Sequence, residues 1–387
     1  MASSNDQFIG RDVLDGQFKI LQKIGSGGMG SVYKASQTAM NRLVAVKILH
    51  PKLANRKDLV SRFSREASAM SHLVHPNTVR VYMFGELEDG SLFIAMEFLE
   101  GKNLHQTVKK GGPMEYIRAL PMLIQVCGAL EEAHQKGIIH RDLKPENIFL
   151  CNYLGKEDYP KVLDFGLAKV TEREMRPGSI VLTQEGMVFG TPEFMSPEQA
   201  QGKILDASSD IYSLAVILYE ALTGKLPFDA KTPMEYIQHH VITPPIDLNQ
   251  RIPDKQFPPE LARVIAKALA KKPEDRFRSA ADFGEALHRI VPDVSLPDAF
   301  LGRPGPSLSP PKGSSLAPFP PVPSAPAMVS SGDRAASKGP SLGLILGVAV
   351  ASLIIGVLIA VIVMKSLASR SPAPGPAPTG QATTQPK

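Results

Sequence analysis

Apolar and polar positions change period several times along the chain, and each change marks an element. Phe18 to Ile24 alternates loosely and meets the glycine-rich run G-S-G-G-M-G-S-V at residues 25–32. Ser31 to Ala35 keeps strand character, so a strand, a glycine turn and a second strand are predicted. Leu43 to Leu49 is an apolar strand interrupted by Lys47. Leu59, Phe63, Ala67 and Met70 recur at helical spacing and predict a helix with one apolar stripe. Val79–Phe84 and Ser91–Glu97 predict two strands around a turn at Glu88-Asp89-Gly90. Leu120–His134 reads as a helix closed by Gly137. Ile148–Leu150 and Val162–Leu163 predict two short strands, with Cys151–Pro160 between them as a long charged turn of no catalytic duty. Asp210-Ile211-Tyr212-Ser213 opens an apolar helix, Leu214 to Leu222, that ends at Thr223-Gly224.

The pattern breaks near Val291. Pro297–Pro340 is dominated by Pro, Ser, Ala and Gly and lacks the large apolar residues a core needs, so a linker is expected. Its run Pro318–Pro326 suits either a spacer or a ligand for an SH3-type groove. Leu342–Met364 then runs without a charge, long enough at 1.5 Å per residue to cross a hydrocarbon layer of ~30 Å. Gly343, Gly347 and Ala351 would let two such spans approach closely, which leaves homodimerisation open. Arg334 and Lys338 precede the span and Lys365 and Arg370 follow it, so charge bias does not orient it.

Composition narrows the classes. The net charge of +5 over 387 residues invites a nucleic-acid reading. Beyond Leu296, however, the bases Arg303, Lys312, Arg334, Lys338, Lys365, Arg370 and Lys387 face only the acids Asp298 and Asp333, which accounts for the whole excess. Residues 1–296 are formally neutral, and no nucleic-acid partner is expected. Cys127 and Cys151 form no C-x-x-C pair and no disulfide framework, which fits a reducing compartment. Met1–Arg11 is polar, with no apolar core of a secretory signal.

The candidate chemistry gathers at His140–Gly166, which reads H-R-D-L-K-P-E-N-I-F-L and then K-V-L-D-F-G. Two short strands would bring the carboxylates of Asp142 and Asp164 to one end of a cleft. With Lys144 and Asn147 they make one base candidate, one cation and two oxygen ligands of the kind Mg²⁺ prefers. In the glycine run, absent side chains let backbone N–H groups approach phosphates. Lys47, on an apolar strand, needs an anion. Glu66 lies beside the helical stripe.

Together these motifs resemble the catalytic core of eukaryotic-like protein kinases, specifically bacterial membrane-anchored serine/threonine kinases, over residues 18–290. The resemblance implies an α+β bilobal fold, with a small β-rich N-lobe and a larger helical C-lobe. It implies residues 1–17 as an N-terminal extension, 18–290 as the kinase domain and 291–341 as a juxtamembrane linker. Residues 342–364 follow as a transmembrane helix and 365–387 as a short extracytoplasmic tail. The kinase would then face the cytoplasm from the inner membrane.

By resemblance the cofactors are ATP and Mg²⁺, and the partners are proteins with Ser or Thr acceptors. Ile24, Gly25, Ser26, Gly27, Gly28, Met29, Gly30, Val32 and Ala45 would cover the nucleotide, and Lys47, fixed by Glu66, would hold its α/β-phosphates. The backbone of Glu97 to Leu99 would meet the adenine edge, and Met96 is either a gatekeeper or plain core. Asp142 would orient the acceptor and take its proton, Lys144 would offset phosphoryl charge, and Asn147 and Asp164 would hold Mg²⁺. Arg141 marks kinases switched by an activation-loop phosphate; Thr183 is the candidate site, and Glu185 is either a fixed charge or a solvated one. Thr191 in G-T-P favours Ser/Thr acceptors, and Glu198 would pair with Arg276; S-P-E stands where the family has A-P-E. The alternative is a nucleotide-binding scaffold without transfer, against which Lys47, Asp142 and Asp164 are all present.

Overall fold

A computed structural model describes residues 6–27, 30–50, 57–153, 155–165 and 191–291. The linker, the candidate span, Gly28, Met29, Gly166 and the segment with Thr183 and Glu185 lie outside the described residues.

The N-terminal lobe is an antiparallel sheet of β1 (Asp12–Val13), β2 (Phe18–Gly27), β3 (Gly30–Gln37), β4 (Arg42–Leu49), β5 (Val81–Glu86) and β6 (Leu92–Glu97), in the order β1-β2-β3-β4-β6-β5. Strand period decides what each face does. Val44, Val46 and Ile48 of β4 join Phe93 and Ala95 of β6 in one apolar cluster with Phe18 and Ile20. Ala45 and Leu49 turn the other way, with Ile94 and Met96, against α1 (Lys57–Ser71). Lys47 follows the register of Ala45 and so faces the helix and the cleft. The predicted stripe of α1 is buried as expected: Leu59, Phe63, Ala67 and Met70 are each no more than 5% exposed. The sheet also reaches upstream of Phe18, because Phe8 and Val13 are buried on it.

The C-terminal lobe is helical: α2 (Leu104–Gly111), α3 (Tyr116–Gln135), α4 (Pro197–Ala200), α5 (Ala207–Thr223), α6 (Pro233–Ile242), α7 (Leu248–Arg251), α8 (Pro259–Ala268) and α9 (Ala280–His288). α3 begins a turn before the predicted Leu120. Pro121 marks a first turn in sequence, yet here it sits one turn inside, where the carbonyl it leaves without an N–H partner belongs to exposed Ile117.

A small sheet joins β7 (Gly101–Asn103), β8 (Ile148–Tyr153) and β9 (Lys156–Val162) beneath the cleft. This corrects the expected long turn at Cys151–Pro160. Both strands continue through it as a hairpin, because Cys151 and Tyr159 are buried and Tyr153 stacks on Tyr159 at 4.7 Å. Arg118 then ties the tip with two bonds to Asp158, at 2.6 and 3.0 Å. Gly101 has a steric cause: a Cβ there would stand 2.0 Å from the Leu150 carbonyl oxygen.

One buried ion pair locks the lower lobe. Arg276 donates to both oxygens of Glu198 at 2.8 Å each, to Ala270 O at 2.8 Å and to Ser208 O at 2.9 Å. Ser209 Oγ donates to Glu198 at 2.6 Å. Burial raises the Glu198 carboxyl, but the Arg276 and Ser209 hydrogen bonds outweigh it and hold it below the usual range. Arg276→Ala leaves Glu198 charged and dry, so we expect a loss of about 3–5 kcal/mol in urea unfolding; a loss below 1 kcal/mol would mean that water replaces the guanidinium.

Candidate active site

The cleft is assembled from four elements that sequence separates widely. β4 delivers Lys47 from above. The turn after β9 delivers Asp164 from below, and Lys47 Nζ donates to Asp164 Oδ2 at 2.8 Å. The Lys47 ammonium is mostly buried, and Asp164 is the anion that answers it. The Asp164 carboxyl is raised by burial, and the Lys47 charge and hydrogen bond more than offset this, so it sits below the usual carboxylate range.

The loop between α3 and β8 carries the rest. Lys144 Nζ donates to Asp142 Oδ2 at 2.6 Å and reaches Thr191 Oγ1 at 3.4 Å. Asn147 donates its amide N–H to the Asp142 carbonyl at 2.7 Å, and its own backbone carbonyl accepts from Leu163 N at 2.9 Å. That short link ties the Asp142 loop to the Asp164 turn. Because the side-chain N–H of Asn147 is used, its side-chain oxygen remains as an acceptor. The donor set of Asn147 and Asp164, two oxygens with a carboxylate among them, fits Mg²⁺, which would supply charge neutralisation for phosphate there.

Arg141 and Asp164 both hold left-handed backbone, at φ 69° and 58°. Such geometry in non-glycine residues costs of order 1 kcal/mol each and persists only under outside restraint. For Arg141 the restraint is Asp210, a residue the sequence reading left without a role. Asp210 is 1% exposed and accepts from His140 N at 2.8 Å, Arg141 N at 3.0 Å and His134 Nε2 at 2.7 Å. Burial pushes its carboxyl up, and the His134 bond and nearby histidines carry it below the ordinary value. The available signal was an acid at the start of an otherwise apolar helix. His140 itself is fully buried, bonds Leu163 O through Nε2 at 2.8 Å and lies 4.9 Å from the Phe165 ring.

The nucleotide-facing positions divide by cause. Gly30 is required by the fold, since a Cβ would lie 2.1 Å from the Ile48 carbonyl oxygen. Gly27 has nothing within 4 Å of a notional Cβ and needs no glycine for packing. Absence of a side chain there keeps open the space above the cleft. Gly25 meets only Val32, at 3.9 Å; Ser26 pairs with Ser31, and Ile24 is 44% exposed at the cleft edge. Val32, Ala45, Met96, Leu99 and Leu150 belong to one apolar cluster, side chains of a kind suited to a base, and Leu150 was not singled out from sequence. Met96, 8% exposed, is part of the core. Glu97 N donates to Arg80 O at 2.9 Å, and its carboxylate holds Lys161 at 2.7 Å. Its amide being taken, Glu97 offers a base edge only its carbonyl.

Of the two carboxylates expected near Lys47, Asp164 is the bonded one, at 2.8 Å, brought there by β9 and the Asn147–Leu163 link. Glu66 lies on α1 and is itself engaged. Thr191 and the Glu198–Arg276 pair lie below the catalytic loop, and Gln199 Nε2 donates to Arg141 O across that junction.

A β-rich lobe offering a lysine to a helical lobe that carries two lysine-bonded aspartates defines the bilobal protein kinase architecture. The protein kinase domain family matches residues 18–287, and the chain belongs to it. It is 42% identical over 285 residues to serine/threonine-protein kinase pkn3 of Myxococcus xanthus, covering 74% of this chain and 52% of that one. It is 39% identical over 289 residues to serine/threonine-protein kinase PknB of Mycolicibacterium smegmatis, covering 74% and 44%. The chain thus spans about half or less of these curated relatives. Among solved structures, the kinase domain of Mycobacterium tuberculosis PknI superposes with a TM-score of 0.54 at 26% identity, covering 75% of this chain and 99% of that one.

Near the cleft floor, burial and the negative neighbours Glu146 and Glu193 push the Glu220 carboxyl up to about 7. A carboxyl raised from 4.5 to about 7 opposes folding increasingly as pH rises between those values, and fully above them. Glu220→Gln should therefore raise stability by about 1–2 kcal/mol at pH 8 and by almost nothing at pH 4.5 in thermal unfolding. An equal gain at both pH values would place the benefit in packing.

Proposed function

We propose that this protein transfers the γ-phosphoryl group of ATP to serine and threonine hydroxyls of other proteins, from a membrane anchor. The observation that carries this reading is the bonded set Asp142–Lys144–Thr191 facing Lys47–Asp164 across one cleft. Phosphoryl transfer asks for positioning and charge neutralisation more than covalent chemistry, and this set is built of those parts. Asp142 accepts the proton of the acceptor hydroxyl as its oxygen bonds to phosphorus and the bond to the leaving ADP oxygen breaks. Lys144 balances charge on the transferred group. Lys47 would hold phosphate oxygens, and Asn147 and Asp164 would hold Mg²⁺, which would neutralise phosphate charge. The relatives named above are called serine/threonine kinases, and the Lys144–Thr191 contact fits that acceptor class.

The membrane reading rests on the uncharged run Leu342–Met364, outside the described residues; among the described residues no helix is long and apolar enough to span. Because the reaction draws on cytosolic ATP, the kinase domain is placed on the cytoplasmic side of the inner membrane, and homodimerisation through the span stays an option. Activation runs through a phosphate on Thr183 that pairs with Arg141, the strained residue before Asp142.

Asp142→Asn is expected to cut autophosphorylation at least 1,000-fold while a fluorescent ATP analogue still binds within about threefold of wild type; retained turnover would remove Asp142 from the proton-accepting role. For the switch, mass spectrometry of active protein should find phosphate at Thr183, and Thr183→Ala should lower activity at least tenfold. An unphosphorylated Thr183 with full activity in the alanine variant would rule it out.

A further inference from the structure

An open pocket of about 490 Å³ is formed by β7, α2, the turn Gly111–Pro113 and the start of α3. Its lining combines the apolar Met114 and Pro113 with the charged Lys102, Lys110, Glu115 and Arg118. Two of those charges are matched: Arg118 holds Asp158, and Glu115 holds Lys255 at 2.8 Å. Lys102 and Lys110 have no carboxylate partner among the described residues. Just beyond the pocket, Ile117 is 62% exposed. The surface therefore sets exposed apolar Pro113 and Ile117 beside two unmatched ammonium groups.

The end of the domain leads to it. α9 packs on α3 in the opposite direction: Ala281 N bonds Glu131, whereas Gly284 lies against Cys127 and Ile124. That direction carries the end of α9 and buried Val291, three residues beyond it, toward the first turn of α3, which holds Arg118. The chain then reads P-D-V-S-L-P-D-A-F-L at residues 292–301. That decapeptide carries Asp293 and Asp298, and beyond it Asp333 is the one remaining acid of the sequence. Its apolar residues, Val294, Leu296, Phe300 and Leu301, alternate with these carboxylates.

We propose that residues 293–301 dock in cis into this pocket, with Asp293 and Asp298 answering Lys102 and Lys110 and the apolar side chains covering Pro113 and Ile117. Two carboxylates meet two unmatched ammoniums, and a short tether gives an effective concentration in the millimolar range, so weak contacts suffice. Asp298 lies seven residues past Val291, a reach of up to ~23 Å when extended. Docking sets where the linker leaves the C-lobe. It also lays the linker on α2, the helix that follows Glu97–Leu99, so tension or a competing ligand on the linker is felt next to the nucleotide slot.

The test uses the full chain in lipid nanodiscs, with Thr107→Cys in the pocket and Ala299→Cys in the segment; native Cys127 and Cys151 are buried and do not compete. A short bismaleimide should link the pair within one chain at a rate independent of protein concentration. Adding Asp293→Lys and Asp298→Lys should slow linking at least fivefold, and further adding Lys102→Glu and Lys110→Glu should restore it. The charge reversals fall at exposed Lys102 and Lys110 or beyond the described residues. A rate indifferent to charge reversal would show a free tether and overturn the proposal. A product between two chains would instead assign the pocket to a second copy, and a segment that links no faster than its reversed form while an acidic peptide of other sequence binds would assign it to a partner protein.

Discussion

Asp210 is the constraint on which the active loop depends. Its carboxylate is sealed in the C-lobe, where an unpaired charge would cost several kcal/mol, and three donors answer it: two consecutive backbone amides and a histidine. Amides of consecutive residues can point at one carboxylate only if the chain turns sharply, and Arg141 takes left-handed backbone to do so. That turn aims Asp142 and Lys144 into the cleft. The buried charge thus stores local strain where the chemistry needs a fixed side chain. His140 extends the same arrangement to Leu163 and Phe165, so the two acidic turns are held by one core.

The upper lobe solves a different problem, that of presenting a cation from an apolar strand. Strict alternation on β4 sends Val44, Val46 and Ile48 to the back of the sheet and Ala45, Lys47 and Leu49 to the front. A one-residue slip would reverse this and bury an ammonium against Phe18 and Phe93. Register is therefore part of the site. In this arrangement Lys47 and Asp164 close on each other across the cleft through a charge-assisted bond at 2.8 Å.

Beneath them, the segment after Thr191 is held by groups that never touch a reacting atom. Glu198 and Arg276 form the bidentate pair, with Tyr212 under the guanidinium at 4.9 Å. His240 bonds the Glu193 carbonyl at 3.0 Å and the Tyr212 hydroxyl at 2.9 Å. A carbonyl only accepts, so Nε2 carries the proton and Nδ1 accepts from the tyrosine. Burial and the Lys271 charge press the His240 pKa down to about 3, which keeps that neutral tautomer throughout the physiological range. The floor of the cleft is thereby insensitive to pH at this point, whereas Glu220 nearby is not.

Periodicity by itself determined the elements: the alternation of β4 and β6, the α1 stripe and the apolar α5 are local patterns that burial enforces wherever the chain is placed. Motif spacing likewise singled out Lys47, Asp142, Lys144, Asn147 and Asp164, because polar groups embedded in apolar runs need partners. What sequence did not carry were relations across distance. The bond of Lys47 to Asp164, the hairpin through Cys151–Pro160, the role of Asp210 and the steric need for Gly101 each depend on which backbone lies opposite. Such pairings are decided by packing between segments as far as 117 residues apart, and no window of sequence contains both sides of the contact.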